Sequence, residues 1–149
     1  KPIGCQVDFS GSWAINEDKS VLDNWGTGNL PGALKITQQD NKLTIRKTFT
    51  VEYAEDRVED EELTLDGQEN KSEMWNAPLI KTARLSALQD TLFIASKATF
   101  NRGGRTMEMT SNENWYLQER GQVLMIIQSS SSFWGKRNIS MVYDKQKCD

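Results

Sequence analysis

The sequence predicts an all-β chain folded as a single up-and-down antiparallel barrel across residues 1–149, with about 8 to 10 strands and little or no helix. Three observations lead there. From Leu34 onward apolar residues recur every second position, the period of a half-buried strand and not the 3.6 of a helix. Short polar turns divide these runs into hairpins. Between consecutive runs there is no segment with helical periodicity, so each strand has to pair with the next, and a meander of that length curls until its edges meet.

The elements follow in order. A first strand near residues 11–16 opens with Gly11-Ser12-Trp13. The stretch "DNWGTGNLPG" holds three glycines and a proline in ten residues, which favours a loop across one mouth of the barrel, with Trp25 and Leu30 to bury. Strands near 33–38 and 42–52 come next: Leu34 and Ile36, then Leu43, Ile45, Phe49 and Val51 share one face, while Thr44, Arg46, Thr48 and Thr50 share the other. The run "EYAEDRVEDEE", Glu52 to Glu62, has seven acids in eleven residues and reads as a solvated connection before a short strand near 61–65. Hairpins follow at 79–87 with 91–100 and at 105–117 with 122–132, turning at Gln89-Asp90 and at Glu119-Arg120-Gly121, and a last strand covers about 137–143. "NRGGR" lacks the Lys-Ser/Thr and the helix of a phosphate loop, and Gly103-Gly104 reads as a hairpin turn.

Composition removes several function classes. Formal net charge is −3, which gives no basic footprint for nucleic acid, and no apolar run approaches a transmembrane segment. Histidine is absent, and with it Ser-His-Asp and Cys-His nucleophile systems and histidine metal sites. No metal, cofactor or catalytic residue is called for. Two cysteines, Cys5 and Cys148, sit near the two ends of the chain. Bridged, they would tie the first and last strands together and add about 5 kcal/mol by loop entropy, in an oxidising compartment. Free thiols, or a lipidated Cys5 in "PIGC", are the alternatives.

Gly11-Ser12-Trp13 at the head of a meander resembles the lipocalins and the wider calycin group, in which a Gly-x-Trp opens the first strand. The resemblance implies that Trp13 closes one end of the barrel under a basic residue from the last strand. Arg137 is the candidate for that cation and Lys136 its alternative. Over nearly the whole chain, "DFSGSWAINEDKS", "LTLDGQEN", "SNENWYL" and "SSSSFWGKRNISMVYDK" resemble secreted lipocalin-like proteins of Bacteroidetes. That likeness implies the fold and a secreted or periplasmic location, outer-membrane association included, and brings no catalytic motif.

The inward faces change character along the strands. In steps of two, Leu43 and Ile45 lead to Lys47 and Phe49; Leu92 and Ile94 to Ser96, Ala98 and Phe100; Leu124 and Ile126 to Gln128, Ser130 and Ser132. Backwards from Leu117 and Trp115 the same step reaches Glu113, Ser111, Met109 and Met107. One end is thus packed with large apolar groups and the other is lined by small and polar ones, as in a cavity for a small ligand. The expected site comprises Trp25 as lid, Lys47, Arg46, Glu113 and Gln128 as polar contacts, and Ser96, Ser111, Ser130 and Met109 as lining, with Met107, Met125 and Met141 as adaptable additions. A bulge in each strand would reverse this and turn Ser129, Ser131 or Phe133 inward. The sequence therefore predicts an exported carrier or sensor of a small apolar or amphipathic molecule. Its rivals are a filled barrel that meets a protein partner through Phe133 and Trp134, and an enzyme using Lys47 and Glu113 as acid and base.

Overall fold

The computed structural model describes residues 7–22, 30–51, 53–74, 76–132 and 135–147. Ten antiparallel strands form one sheet: β1 (Gly11–Ile15), β2 (Ala33–Gln39), β3 (Lys42–Phe49), β4 (Arg57–Thr64), β5 (Asn70–Met74), β6 (Ala77–Leu85), β7 (Thr91–Arg102), β8 (Arg105–Gln118), β9 (Val123–Ser132) and β10 (Gly135–Lys145). No helix occurs among the described residues. Each strand pairs with its neighbour in sequence except at β4 and β5, and β1 pairs with β10, so the order β4-β3-β2-β1-β10-β9-β8-β7-β6-β5 is a meander bent into a nearly closed barrel. One seam is left between its edges. There β4 meets β6, and an isolated bridge between Asp66 and Arg84, with Gly67 N–H donating to Ala83 C=O at 2.9 Å, ties the seam at one end.

Left-handed residues make the tight turns. Gly103 and Gly104 (φ 58° and 79°) join β7 to β8 as the hairpin predicted from "NRGGR". Asp40, Gln89, Glu119 and Arg120 adopt similar angles at three other turns. Pairing is unbroken from Thr91↔Tyr116 to Arg102↔Arg105, and equally so between β8 and β9 and between β9 and β10. No bulge reverses the faces in these strands, and Ser129 and Ser131 are exposed. Strand parity from the sequence therefore applies along their full length.

The core occupies the end that holds Trp13. Phe9, Trp13, Ile36, Leu43, Ile45, Leu63, Leu92, Trp115, Leu124 and Tyr143 belong to one buried cluster there. Trp13 is 1% exposed. Its Nε1–H donates to Phe9 C=O at 3.0 Å, and the Phe9 ring meets Trp115 edge-on at 5.9 Å and 89°. The cation over Trp13 is Lys145, with Nζ 5.6 Å from the ring centroid, and not Arg137. Register decides this: Trp13 pairs with Lys145, whereas Arg137 pairs with Ser130 eight residues earlier on β10. At about 3.3 Å per residue that is roughly 26 Å away. Gly11 (φ 144°) belongs to the same device, because a Cβ there would stand 2.9 Å from Lys145 Cε.

Three readings of the elements are corrected. The acidic run is not wholly a connection, since its second half is strand β4, beginning at Arg57 and not near residue 61. Strand β5 carries no apolar alternation, which is why its sequence, Asn70-Lys71-Ser72-Glu73-Met74, gave no strand signal. β3 ends at Phe49, and Val51 is 38% exposed. Cys5, Cys148, Trp25, Phe133 and Trp134 lie outside the described residues.

Candidate functional site

Above the apolar floor the inward positions become polar. On β8 and β9, Glu113, Ser111, Met109, Gln128 and Ser130 alternate with neighbours on the outer face and are themselves half-buried, as are Ser96 and Phe100 on β7. These inward side chains keep part of their surface accessible, whereas the inward residues at the Trp13 end, such as Leu92, Trp115 and Leu124, are buried. Residues 16–22 run alongside β10, where Val142 N–H donates to Ser20 Oγ at 2.9 Å. The chain then returns to put Leu30 into the core, and the Tyr143 hydroxyl donates to Pro31 C=O at 2.8 Å.

The polar interior is organised as a network from five strands. Glu61 on β4 accepts from two lysines: Lys47 Nζ on β3 lies 3.4 Å from Oε1, and Lys81 Nζ on β6 contacts Oε2. The three side chains keep 23% (Lys47), 21% (Glu61) and 18% (Lys81) of their surface accessible. Glu113 on β8 accepts from Trp115 Nε1–H through Oε1 and from Gln128 Nε2–H on β9 through Oε2, both at 2.8 Å. Burial alone would push the Glu61 carboxyl up, yet the charges of Lys47 and Lys81 outweigh it and hold the group below its ordinary value. Burial likewise opposes the charged form of Lys47, but Glu61, Glu113 and Glu59 together keep its ammonium above the usual range. The Tyr143 phenol is pushed well up by burial and then by the nearby Glu113 charge, so it stays neutral.

The expected site residues divide accordingly. Lys47, Ser96, Met109, Ser111, Glu113, Gln128 and Ser130 all lie on inward faces. Lys47 and Glu113 interact electrostatically, while the direct partner of Lys47 is Glu61. Arg46 is a correction. It lies between inward Ile45 and Lys47, so it points out, where its guanidinium grips Asp60 by two bonds of 2.8 and 3.3 Å. Met125 is another, since its neighbours Leu124 and Ile126 are the buried, inward ones. It lines an open groove of about 640 Å³ on the outer wall with Lys19, Val123 and Val142. Met141 is buried within the core cluster and Met107 is half-buried on the inward face of β8.

Two interior residues, Glu61 and Lys81, were not singled out in the sequence. Glu61 stands two positions before Leu63, and Lys81 two before Ala83, so the signal was present as parity. At Glu61 it was hidden by the surrounding acids.

The fold matches the crystal structure of zebrafish ileal bile acid-binding protein complexed with cholic acid, with a TM-score of 0.59 and 12% sequence identity over 93% of this chain and 98% of that chain. The architecture is that of a calycin-like barrel. No family model and no curated protein matches the sequence, so the likeness is one of architecture. Within this barrel, the half-buried polar positions and the charged network lie on inward faces beyond the Trp13 core.

Proposed function

We propose that this barrel binds one small amphipathic molecule in its interior, with the apolar body against the aliphatic floor and the polar group against Lys47, Lys81, Glu113 and Gln128. The observation that carries the reading is the unbroken inward register of β7, β8 and β9, along which large apolar residues give way to half-buried small and polar ones. The zebrafish neighbour, solved with cholic acid, supports the choice of an amphipathic occupant. Ser130 gives the test. It pairs with Ser111 on one side and Arg137 on the other, on the inward face, so Ser130→Phe places a ring in the proposed space. Wild-type protein should bind the fluorescent probe Nile red at one saturable site. The variant should lose that binding and keep its circular dichroism and its urea midpoint. Equal binding by both proteins would argue for a filled barrel that acts through its loops.

The role we propose is that of an exported carrier or sensor. Its support is the resemblance of motifs such as "DFSGSW" and "VYDK" to secreted bacterial lipocalin-like proteins, together with cysteines at both ends of the chain. Thiol titration of the unfolded, unreduced protein should find no free thiol. Two free thiols would remove the disulfide and the main support for an oxidising compartment.

A further inference from the structure

The charged network also bears on what kind of polar group the cavity accepts, an inference that rests on the ligand-binding reading above. At the centre of the network two lysines and two glutamates face inward, and their formal charges cancel. Both oxygens of Glu61 are taken by the ammonium groups of Lys47 and Lys81, and both oxygens of Glu113 by Trp115 and Gln128. Arg57 and Glu59, on the same side of β4 toward the far end but exposed to solvent, pair with each other at 3.3 Å. Arg137, inward beside Ser130, has an interaction of its own and lies toward the far end, outside this four-residue balance. An ionic head group placed at the Lys47–Glu61–Lys81–Glu113 network would therefore meet no uncompensated counter-charge there, and losing its hydration would not be offset. Hydrogen-bond donors are still in supply, because each lysine ammonium has three N–H bonds and one carboxylate contact among the described residues.

We infer that the interior selects a ligand whose polar group is an uncharged hydrogen-bond acceptor, such as a hydroxyl, ketone, ester or amide, and disfavours a carboxylate or ammonium on the same tail. Lys47 and Lys81 donate to that acceptor, while Glu61 keeps their charge compensated. Glu113, fixed by Trp115 and Gln128, performs the second half of that compensation through its field on Lys47.

The experiment is displacement of Nile red by a tail-matched series: decanol, methyl decanoate, decanoate and decylammonium. Wild-type protein should take the alcohol and the ester at least about tenfold more tightly than either ion, as expected when a charge is buried without a partner. Because the ions also differ from the alcohol in water, the deciding quantity is how the decanoate-to-decanol ratio changes between proteins. Glu61→Gln leaves the interior one positive charge in excess and should shift that ratio toward decanoate by about tenfold or more. Lys81→Met should shift preference toward decylammonium instead. Glu113→Gln, remote from the seam, should repeat the shift toward decanoate and replaces Glu61→Gln in the assay if that variant does not fold. If wild type already prefers decanoate and Arg137→Gln abolishes that preference, the inference is overturned and the site is an anion site built on Arg137. If Nile red itself finds no saturable site, the ligand-binding reading fails and this inference with it. A wrong head-group order overturns the inference alone.

Discussion

Trp13→Ala should destabilise the protein by about 3 to 5 kcal/mol, read as a drop in the urea midpoint at unchanged slope. Trp13 is one of the largest fully buried side chains, and it joins β1 to the floor through three contacts: the Nε1–H bond to Phe9, packing in the core cluster, and the cover of Lys145. Removing the indole opens a cavity and leaves the Phe9 carbonyl without this donor, and the rigid ring of neighbouring strands cannot collapse to fill it. Trp13→Phe should recover much of the loss, since most of the volume returns. Lys145→Ala should cost only about 1 kcal/mol, the scale of a partly exposed cation-π contact. Gly11→Ala should cost about 1 to 3 kcal/mol through its φ of 144°, because the clashing Lys145 stem can swing aside. A loss below about 1 kcal/mol for Trp13→Ala would show that the floor is not closed by this residue.

Replacing Glu61 should be nearly as damaging, for a different reason. Glu61→Gln leaves the Lys47 and Lys81 ammonium groups side by side without their shared counter-charge, and about 3 kcal/mol of stability should be lost. The triple replacement Lys47→Met, Glu61→Leu, Lys81→Met should restore most of it, since a buried ion network often gains little over apolar packing of similar volume. A triple variant weaker than Glu61→Gln would mean that the network stabilises by itself. The pH dependence carries the same signature. The folded-state pKa of Glu61 lies below its ordinary 4.5, so its contribution is full above that value and is lost as pH falls through the lower folded value. The folded-state pKa of Lys47 lies above its ordinary 10.5, so its contribution is full below that value and is lost as pH rises through the higher one. Glu61→Gln should therefore flatten the acid limb of the stability profile. An alkaline limb should survive in that variant, because Tyr143, also raised in the folded state, has an ordinary value of 10.0 and disfavours the native protein as pH rises above it.

Outer ion pairs contribute little by comparison. Arg46 with Asp60 and Lys97 with Glu108 cross neighbouring strands on the solvated face, where exposed pairs are worth about 0 to 1 kcal/mol. The difference between Arg46 and Lys47, adjacent residues of opposite orientation, is thus a difference of environment and not of chemistry.

By itself the sequence determined whatever depends on spacing along one strand. Alternation placed Lys47, Ser96, Ser111, Glu113, Gln128 and Ser130 on the inward side, and the unbroken pairing of β7 through β10 kept those of β7, β8 and β9 there. Turn residues such as Gly103-Gly104 marked the hairpins, since only certain residues tolerate positive φ at low cost. The tertiary structure alone decided which strands face one another across the barrel and at what height. Lys145, not Arg137, covers Trp13 because β1 meets β10 at its last residues, a register set by closure of the whole sheet. Glu61 turns from one acid among seven into the centre of an interior network because Lys47 and Lys81 reach it from two other strands, one of them across the seam where backbone pairing stops. Parity is local and survives in any fold that keeps the strand. Charge compensation in the interior is a sum over strands distant in sequence, and it exists only once the barrel has closed.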